Sequence, residues 1–562
     1  MRINMVCLED GITSCGFRKM AAYVARLNPD TGSYYISTNN LKALGNWIRG
    51  TLGTVGELDD EGVDQAAHEL ARADIVGFSS MTGYSGLTRR IIKRVREINP
   101  SAYIIWGGIH PIIQPEDAIT ADVDAICTGE GEFAFHEFLD AFKDGRDFTG
   151  VKNMWFKDRK HGTNGSNGNG SHGEIRNGFL PLMTAADMDT LPFPQYGDPR
   201  EQIYTPGRGF VPMTKNDYLF NFSLGYQTVW SIGCPFHCSF CGNTKFIAND
   251  PNYKKVRHPS ARFIVDEIKS VRATFPFVSQ VSFHDDSFMA ITYRELEQFA
   301  ELWREELGIP FTVYGVIPNY VKQEKFEILT WAGMHRVRMG IQSGSQDILD
   351  FYKRPTPPER ILEAGRVIGT FTGKYHVPPA YDIIVDNPIE TRQDVIDTLE
   401  LLYKIERPFT PYVYSLKVIP NTAMEQAMTD KGIDLEGISS SYASIPPRAA
   451  NLMLYVLAVW RPPRWIFDRL LKYVRACTEP QKMYPRLGTA LRMAYLGKRA
   501  IGHMKFIDFS VLPGRSGYVL WRLGIIGFLQ KHFTRRPPRP ERDKVRRADI
   551  APRLPLLEVE AH

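Results

Sequence analysis

Gly233-Cys234-Pro235-Phe236-His237-Cys238-Ser239-Phe240-Cys241-Gly242-Asn243 is the stretch from which this chain is read. It sets three thiols in a CxxxCxxC spacing directly after an apolar run, Gln227–Ile232, that reads as a strand. Three thiolates on one loop can hold three irons of a four-iron cluster and leave the fourth iron open to an outside ligand. A structural zinc site closes its tetrahedron with a fourth ligand, and zinc ribbons usually bring a second CxxC, which this sequence lacks. His237 could close such a site in principle, but between the cysteines it reads as a solvated loop histidine. A non-catalytic metal-binding module stays open as the rival from another class.

Outward from this loop the sequence alternates strands and amphipathic helices. Candidate strands are Gln227–Ile232, Gln280–His284, Phe311–Val316, Arg336–Gln342, Tyr381–Val385 and Tyr412–Val418, with helical patterns such as Ser260–Thr274, Tyr293–Leu307 and Arg392–Lys404 between them. Such a succession of β/α units predicts a partial or full parallel (β/α) barrel over residues 223–445, with its site at the C-terminal ends of the strands. Residues 1–150 alternate in the same way and predict a doubly wound, Rossmann-like α/β domain. Its strands end in glycines at Gly107-Gly108 and Gly129-Glu130-Gly131, which open backbone along one sheet edge. None of these turns is a GxGxxG, so a nicotinamide cofactor has little support.

The cysteine run, with Phe240 before its last cysteine, resembles the cluster loop of radical S-adenosylmethionine (radical SAM) enzymes. The resemblance continues in His284-Asp-Asp-Ser-Phe288, in Gly340-Ile-Gln-Ser-Gly-Ser345, in Asp386-Asn-Pro-Ile-Glu-Thr391 and in Val418-Ile-Pro-Asn-Thr422. These are similar to the family's DD, GxESGS, GxPxET and PxPGT segments. Two departures stand out: Gln342 replaces the commoner Glu, and Asp386-Asn387 replaces a glycine-containing turn. The resemblance implies that Cys234, Cys238 and Cys241 ligate a [4Fe–4S] cluster whose open iron binds S-adenosylmethionine. Asp285, Asp286, Gln342 and Ser343 would contact its polar parts, and Phe240 and Val418 would flank the adenine. For the two aspartates, capping the next helix is the bland alternative.

A glycine-edged domain directly before such a barrel resembles the cobalamin-binding subfamily. The residues that carry this are Gly77-Phe-Ser-Ser-Met-Thr82, Gly107-Gly-Ile-His-Pro111 and Gly129-Glu-Gly-Glu132. The resemblance implies cobalamin contacts from Ser79, Ser80, Thr82, Gly107, Gly108, His110, Gly129 and Glu130. No DxHxxG is present, so the cobalt would lack a histidine from that motif. Cys7, Cys15 and Cys127 do not match the spacing of a second cluster and read as buried thiols. The implied activity is reductive cleavage of S-adenosylmethionine to a 5′-deoxyadenosyl radical, followed by methylation of an unactivated carbon through methylcobalamin. The alternative is a cyclisation or rearrangement without net methyl transfer. The implied partners are a small-molecule or lipid-like biosynthetic substrate and an electron donor such as flavodoxin or ferredoxin.

The 562 residues carry a formal charge of +5 that conceals an asymmetry. From Pro446 onward there are 23 Lys+Arg against 8 Asp+Glu, a net +15, which leaves 45 against 55, a net −10, for residues 1–445. Residues 446–533 interleave aromatics with Arg and Lys and predict a basic, mostly helical domain. Such helices suit a peripheral membrane contact, and equally a helical cap with a solvated basic face. Residues 534–562 read as a flexible tail, and 151–222 as a linker carrying the hydrophilic insert HGTNGSNGNGSHG. Seven cysteines in a chain this long are no disulfide framework, and no apolar run approaches a membrane span, so a cytoplasmic protein is expected. No specific nucleic-acid motif is present.

Overall fold

The computed structural model describes residues 1–9, 11–37, 58–157, 173–375, 377–435, 446–476, 482–506, 508 and 512–540. Most of the Gly/Asn/Ser insert and residues 541–562 of the tail lie outside these.

The N-terminal sheet forms around β1 (Ile3–Glu9), whose first six residues are all buried, the mark of a strand covered on both faces. It pairs in parallel with β2 (Thr31–Ser37) on one side and β3 (Ile75–Ser80) on the other. β4 (Tyr103–Gly107) and β5 (Ala125–Cys127) continue the parallel order outward from β3. The segment expected as a linker, 151–222, instead enlarges this sheet. β6 (Met154–Lys157) and β7 (Glu174–Arg176) add antiparallel beyond β5, β8 (Glu201–Thr205) adds parallel to β2, and β9 (Gly209–Pro212) closes that edge. The sheet therefore has nine strands, in the order β7-β6-β5-β4-β3-β1-β2-β8-β9.

The second sheet comprises β10 (Gly225–Thr228), β11 (Gln280–Phe283), β12 (Phe311–Val316), β13 (Met334–Gln342), β14 (Ala380–Val385) and β15 (Thr410–Ser415), all parallel and in sequence order. It is an open half-barrel of six strands. Alternation along β13 shows how it is built. Val337, Met339 and Ile341 are fully buried against the outer helices, at about 1.5–3 kcal/mol each. Arg338, Gly340 and Gln342 point the other way, into a partly open lumen. Several of the helices between strands start on side-chain caps, with reciprocal capping boxes at Thr292/Glu295 and Thr391/Asp394.

The C-terminal part is helical, as its pattern predicts: Ala449–Val459, Arg464–Ala476, Pro485–Lys505, Gly514–Arg522 and Ile525–Phe533. Ala449–Val459 starts beside Asp386 at the C-terminal end of β14, whereas the last three helices pack at the N-terminal ends of the half-barrel strands. Tyr495 donates to the Pro411 carbonyl (2.9 Å), and Gln530 donates to the Ser279 carbonyl (3.1 Å). The start of the expected tail is anchored there too, with Arg536 donating to the Gly308 carbonyl. Among the described residues no helix is long and apolar enough to cross a membrane.

Candidate active site between the two sheets

The cysteine loop leaves β10 through Gly233, which has φ +107°, and a Cβ there would sit 2.5 Å from the Lys255 carbonyl oxygen. Only glycine fits both the left-handed conformation and the contact. The loop is held by backbone bonds from Cys234 N to Tyr253 O (3.2 Å), Ser239 N to Tyr352 O (2.9 Å) and Cys241 N to Cys238 O (3.0 Å). Cys234 and Cys238 are buried in a small apolar cluster with Phe236 and Ile317, and Phe240, Cys241 and Tyr320 pack against it. Burial pushes the Cys234 thiol up to about 11 and the Cys241 thiol up to about 12, with Asp286 and the neighbouring thiols adding to the shift. Among the described residues no three His, Cys, Asp or Glu side chains converge as they stand to hold an ion. What the loop offers is three soft donors sharing one apolar cluster, a donor set that fits three irons of a four-iron cluster.

Three strand ends beside this loop carry non-glycine residues in the left-handed region: Gln342 (φ +71°), Asp386 (φ +59°) and Asn421 (φ +58°). Asp386 and Asn421 stand where the resembling motifs have glycine, and their short polar side chains make them the residues that tolerate this conformation best. Asp386 is fixed by Ser415 Oγ (3.0 Å) and Arg448 Nη1 (2.9 Å).

Below that rim, side chains from successive strands line the lumen. The His284 imidazole stacks on Tyr314 at 4.2 Å and 15°. Arg338 Nε donates to both carboxylate oxygens of Asp382 (2.7 and 3.0 Å), and Arg338 Nη2 donates to the Tyr414 hydroxyl. The lumen walls and the nearby Arg338 push the His284 pKa down to about 4, while the ring stays open to the lumen. The floor is closed by the helix Pro485–Lys505, where Arg499 Nη2 donates to the Tyr412 hydroxyl (2.5 Å) and His503 Nδ1 contacts Asp508 Oδ2 (2.8 Å).

The glycine-lined edge of the N-terminal sheet faces this rim. Asn421 Nδ2 donates to the Ile113 carbonyl (2.8 Å), and Lys19 Nζ donates to the Val229 carbonyl (3.0 Å). Arg257 spans the two units. Its Nη2 donates to Glu130 Oε1 (2.8 Å) and its Nη1 to the Met183 carbonyl (2.8 Å), while Glu130 Oε2 accepts from Met183 N (2.8 Å). The Arg257 backbone pairs with Ile232, one residue before Gly233, so this latch joins the N-terminal edge to the root of the cysteine loop. On the same edge, the Thr82 hydroxyl and His110 Nδ1 are buried without a partner, which leaves polar atoms for a bound group to satisfy.

Residues 54–139 match the model of the B12 binding domain, and residues 228–402 that of the radical SAM superfamily. The chain carries a B12-binding domain and a radical SAM domain. The two family descriptions name S-adenosylmethionine and cobalamin as the groups such domains take. The chain is similar to an uncharacterized methyltransferase of Pyrococcus horikoshii, 24% identical over 343 residues that span 60% of this chain and 66% of the relative. It is likewise similar to the anaerobic magnesium-protoporphyrin IX monomethyl ester cyclase of Rubrivivax gelatinosus, 24% identical over 379 residues spanning 63% and 58% of the two chains. Its fold matches that of the radical SAM methyltransferase TsrM from Kitasatospora setae, solved with cobalamin and a [4Fe–4S] cluster bound, at a TM-score of 0.57, 16% identity, and 77% and 78% coverage.

The residues expected around the cofactors divide by what their polar atoms already do. In the radical SAM domain, Phe240 and Val418 share one apolar cluster, in which Phe240 packs edge-on against Tyr352 at 5.1 Å. Asp286 opens onto the cleft beside the cysteine loop, and burial raises its pKa while bonds to Asn243 and Tyr253 oppose the rise. Gln342 is half-exposed at the rim. The Asp285 carboxylate accepts from Trp230 N (3.0 Å), Ser231 N (2.7 Å) and Ser231 Oγ (2.5 Å), so it roots the cysteine loop and caps no helix. Ser343 is buried and bonded to Thr398 Oγ1 (3.2 Å), which leaves its hydroxyl tied to an outer helix.

In the B12-binding domain, Ser79 and Thr82 lie at the open sheet edge. Ser80 instead accepts from Trp106 Nε1 (3.0 Å), and Glu130 belongs to the latch. Gly107 and Gly108 end β4. Gly108 (φ +88°) keeps a Cβ from striking Ser79 and Ser80, and Gly129 packs on Asn153, so both serve close packing of the chain itself. His110 is buried against Trp106, with Nε2 bound to Asp117 Oδ2 (3.0 Å). Of the three thiols expected to be buried, Cys7 is, whereas Cys15 and Cys127 are half-buried, their surroundings pushing these thiols up to about 12 and about 11.

Sequence reasoning missed Arg354. It lies beyond any of the quoted motifs, yet its buried guanidinium places Nη1 3.7 Å from Cys238 Sγ and donates through Nη2 to the Gly340 carbonyl (2.6 Å), while Nε has no partner. It ties the cysteine loop to the end of β13. The latch cation Arg257 was also missed.

Proposed function

We propose that this chain is a cobalamin-dependent radical SAM enzyme that methylates an unactivated carbon of a small molecule held in the half-barrel lumen. The observation that carries this reading is the apposition of the cysteine loop and the glycine edge of the B12-binding domain across one cleft, with an aromatic and charged lumen beneath. When bound, the cofactors supply a one-electron cleavage of S-adenosylmethionine and a transferable methyl group. The residues supply position and shelter. Cys234, Cys238 and Cys241 hold the cluster, Asp285 and Gly233 set the loop, and Arg354 presents a cation beside Cys238. Phe240 and Val418 wall the adenine side, while Asp286 and Gln342 offer acceptors to the polar end of the nucleoside. Thr82 and His110 offer their unpartnered atoms to cobalamin. The His284–Tyr314 stack and Arg338 bind the substrate, and the floor helix keeps water out from below. Electrons come from a flavodoxin- or ferredoxin-type donor.

Turnover of candidate substrates with a methyl-labelled donor tests the reading: the product should gain one labelled methyl group. Consumption of substrate without a mass gain would replace it with a cyclisation, the activity named for the Rubrivivax relative. Cys238→Ala should abolish both the cluster absorbance and the formation of 5′-deoxyadenosine.

A further inference from the structure

Among the described residues, most of the large apolar side chains left exposed lie between Trp460 and Phe528. On the helix Pro485–Lys505 they are Leu487, Met493, Ile501 and Met504, of which Leu487, Ile501 and Met504 fall on one line together with small residues, and Met493 lies beside it. Leu487, Ala490, Ala494, Gly497, Ile501 and Met504 follow a 3-4-3-4-3 spacing, and all six are exposed, with Ile501 at 64% and Met504 at 69%. That spacing draws one straight stripe along a helix and ordinarily marks a face packed against something. The opposite face holds the barrel floor through Tyr495, Arg499 and His503, so the stripe points away from the barrel. The helices Gly514–Arg522 and Ile525–Phe533 also pack under the N-terminal strand ends and add exposed Val519, Leu523 and Phe528 at the same end of the barrel.

Charge decides what covers this face. Between Lys482 and Pro540 the only acidic residue is Asp508, which is buried beside His503. Exposed Arg486, Lys505, Arg515, Arg522 and Lys531 border the apolar positions. A symmetric contact between two copies would bring these cations together with no carboxylate to meet them, whereas an anionic bilayer supplies both an apolar layer and the opposing charge. We propose that the end of the barrel opposite the cysteine loop docks on an anionic lipid surface, with the Leu487–Met504 stripe and Val519, Leu523 and Phe528 entering the interface. The molecule would then lie on the membrane, with its cofactor cleft turned away from it.

Flotation of the full-length holoprotein with phosphatidylcholine/phosphatidylglycerol vesicles tests this. Binding is expected at low salt, falling as salt rises and absent on pure phosphatidylcholine. Ile501→Glu combined with Met504→Glu should cut binding on the order of tenfold or more, while Ile501→Leu with Met504→Leu keeps it. Both variants should retain cluster absorbance and melting temperature, because the two positions face solvent. Failure of the wild type to float at low salt, or flotation unchanged by the glutamate pair, would overturn the proposal. So would a wild-type dimer in light scattering that the glutamate pair turns into monomer, since the face would then bind a second copy. None of these outcomes depends on the methylation reading.

Discussion

The latch between Glu130 and Arg257 should be worth measuring as a coupling across the two domains. The pair meets at 2.8 Å with the side chains only 21% and 13% exposed, so water screens it weakly. Arg257→Met removes that bond and the bond to the Met183 carbonyl, and leaves Glu130 supported by Met183 N alone. Breaking a buried pair costs about 3–5 kcal/mol, and the residual exposure lowers the expectation here to about 2–4 kcal/mol. The mutual term, isolated by combining Arg257→Met with Glu130→Gln, should be about 1.5–3 kcal/mol, the worth of one charge-assisted bond. Urea denaturation of the wild type, both single variants and the double variant gives the cycle. Cobalamin retention after gel filtration provides a second readout, because the latch ends at the root of the cysteine loop. A coupling below about 0.5 kcal/mol, with the single costs adding, would refute the latch as a link between the domains.

Gly233→Ala forces a Cβ to within 2.5 Å of the Lys255 carbonyl oxygen at φ +107°, so the loop must shift. Strain of about 1–3 kcal/mol and loss of most reconstituted iron are expected, and normal iron content would contradict the account of the turn. Asp285→Asn turns an acceptor toward Trp230 N, Ser231 N and Ser231 Oγ into a part-donor, at about 1–3 kcal/mol, and should lower iron retention without unfolding the barrel. Burial, with Asp394 and Asp386 close by, lifts the Glu390 carboxyl to about 8. The folded state therefore holds that proton more tightly than the unfolded chain, so this group's stabilisation is full below the ordinary carboxylate range and is lost as pH rises toward 8. Glu390→Gln should flatten the melting temperature against pH over that window; a slope equal to that of the wild type would show the carboxyl to be ionised in the fold.

The half-barrel strands were legible where an apolar outer face alternates with a polar lumen, as in β13, but the first was displaced: the apolar run placed it at Gln227–Ile232 and β10 runs Gly225–Thr228. The cysteine loop was legible because thiols so closely spaced have few other uses. Strands β6 to β9 were not: they are three to five residues long, too short for an alternating pattern to stand out, and only the neighbouring strands reveal their pairing. Side-chain direction was equally hidden. Glu130, Asp285 and Ser343 have the chemistry of ligand contacts, but their partners lie far away in sequence and take up their polar atoms inside the fold. Arg354 carries no local signal, since nothing in its neighbours announces that it ends beside Cys238.

The capture of residues 201–212 by the N-terminal sheet determines where the molecule can be divided. A fragment stopped at residue 150 would present the bare flank of β2, whose Ser33, Tyr34 and Tyr35 normally pair with Glu201, Gln202 and Ile203. An unpaired flank of that kind recruits strands from other chains. It would also lose Glu201, whose carboxylate meets the otherwise entombed guanidinium of Arg18 (2.5 Å). The smallest cobalamin-carrying piece that could be grafted onto another enzyme thus runs past β9, and the seam between the modules is the short stretch of chain from Met213 to Leu224.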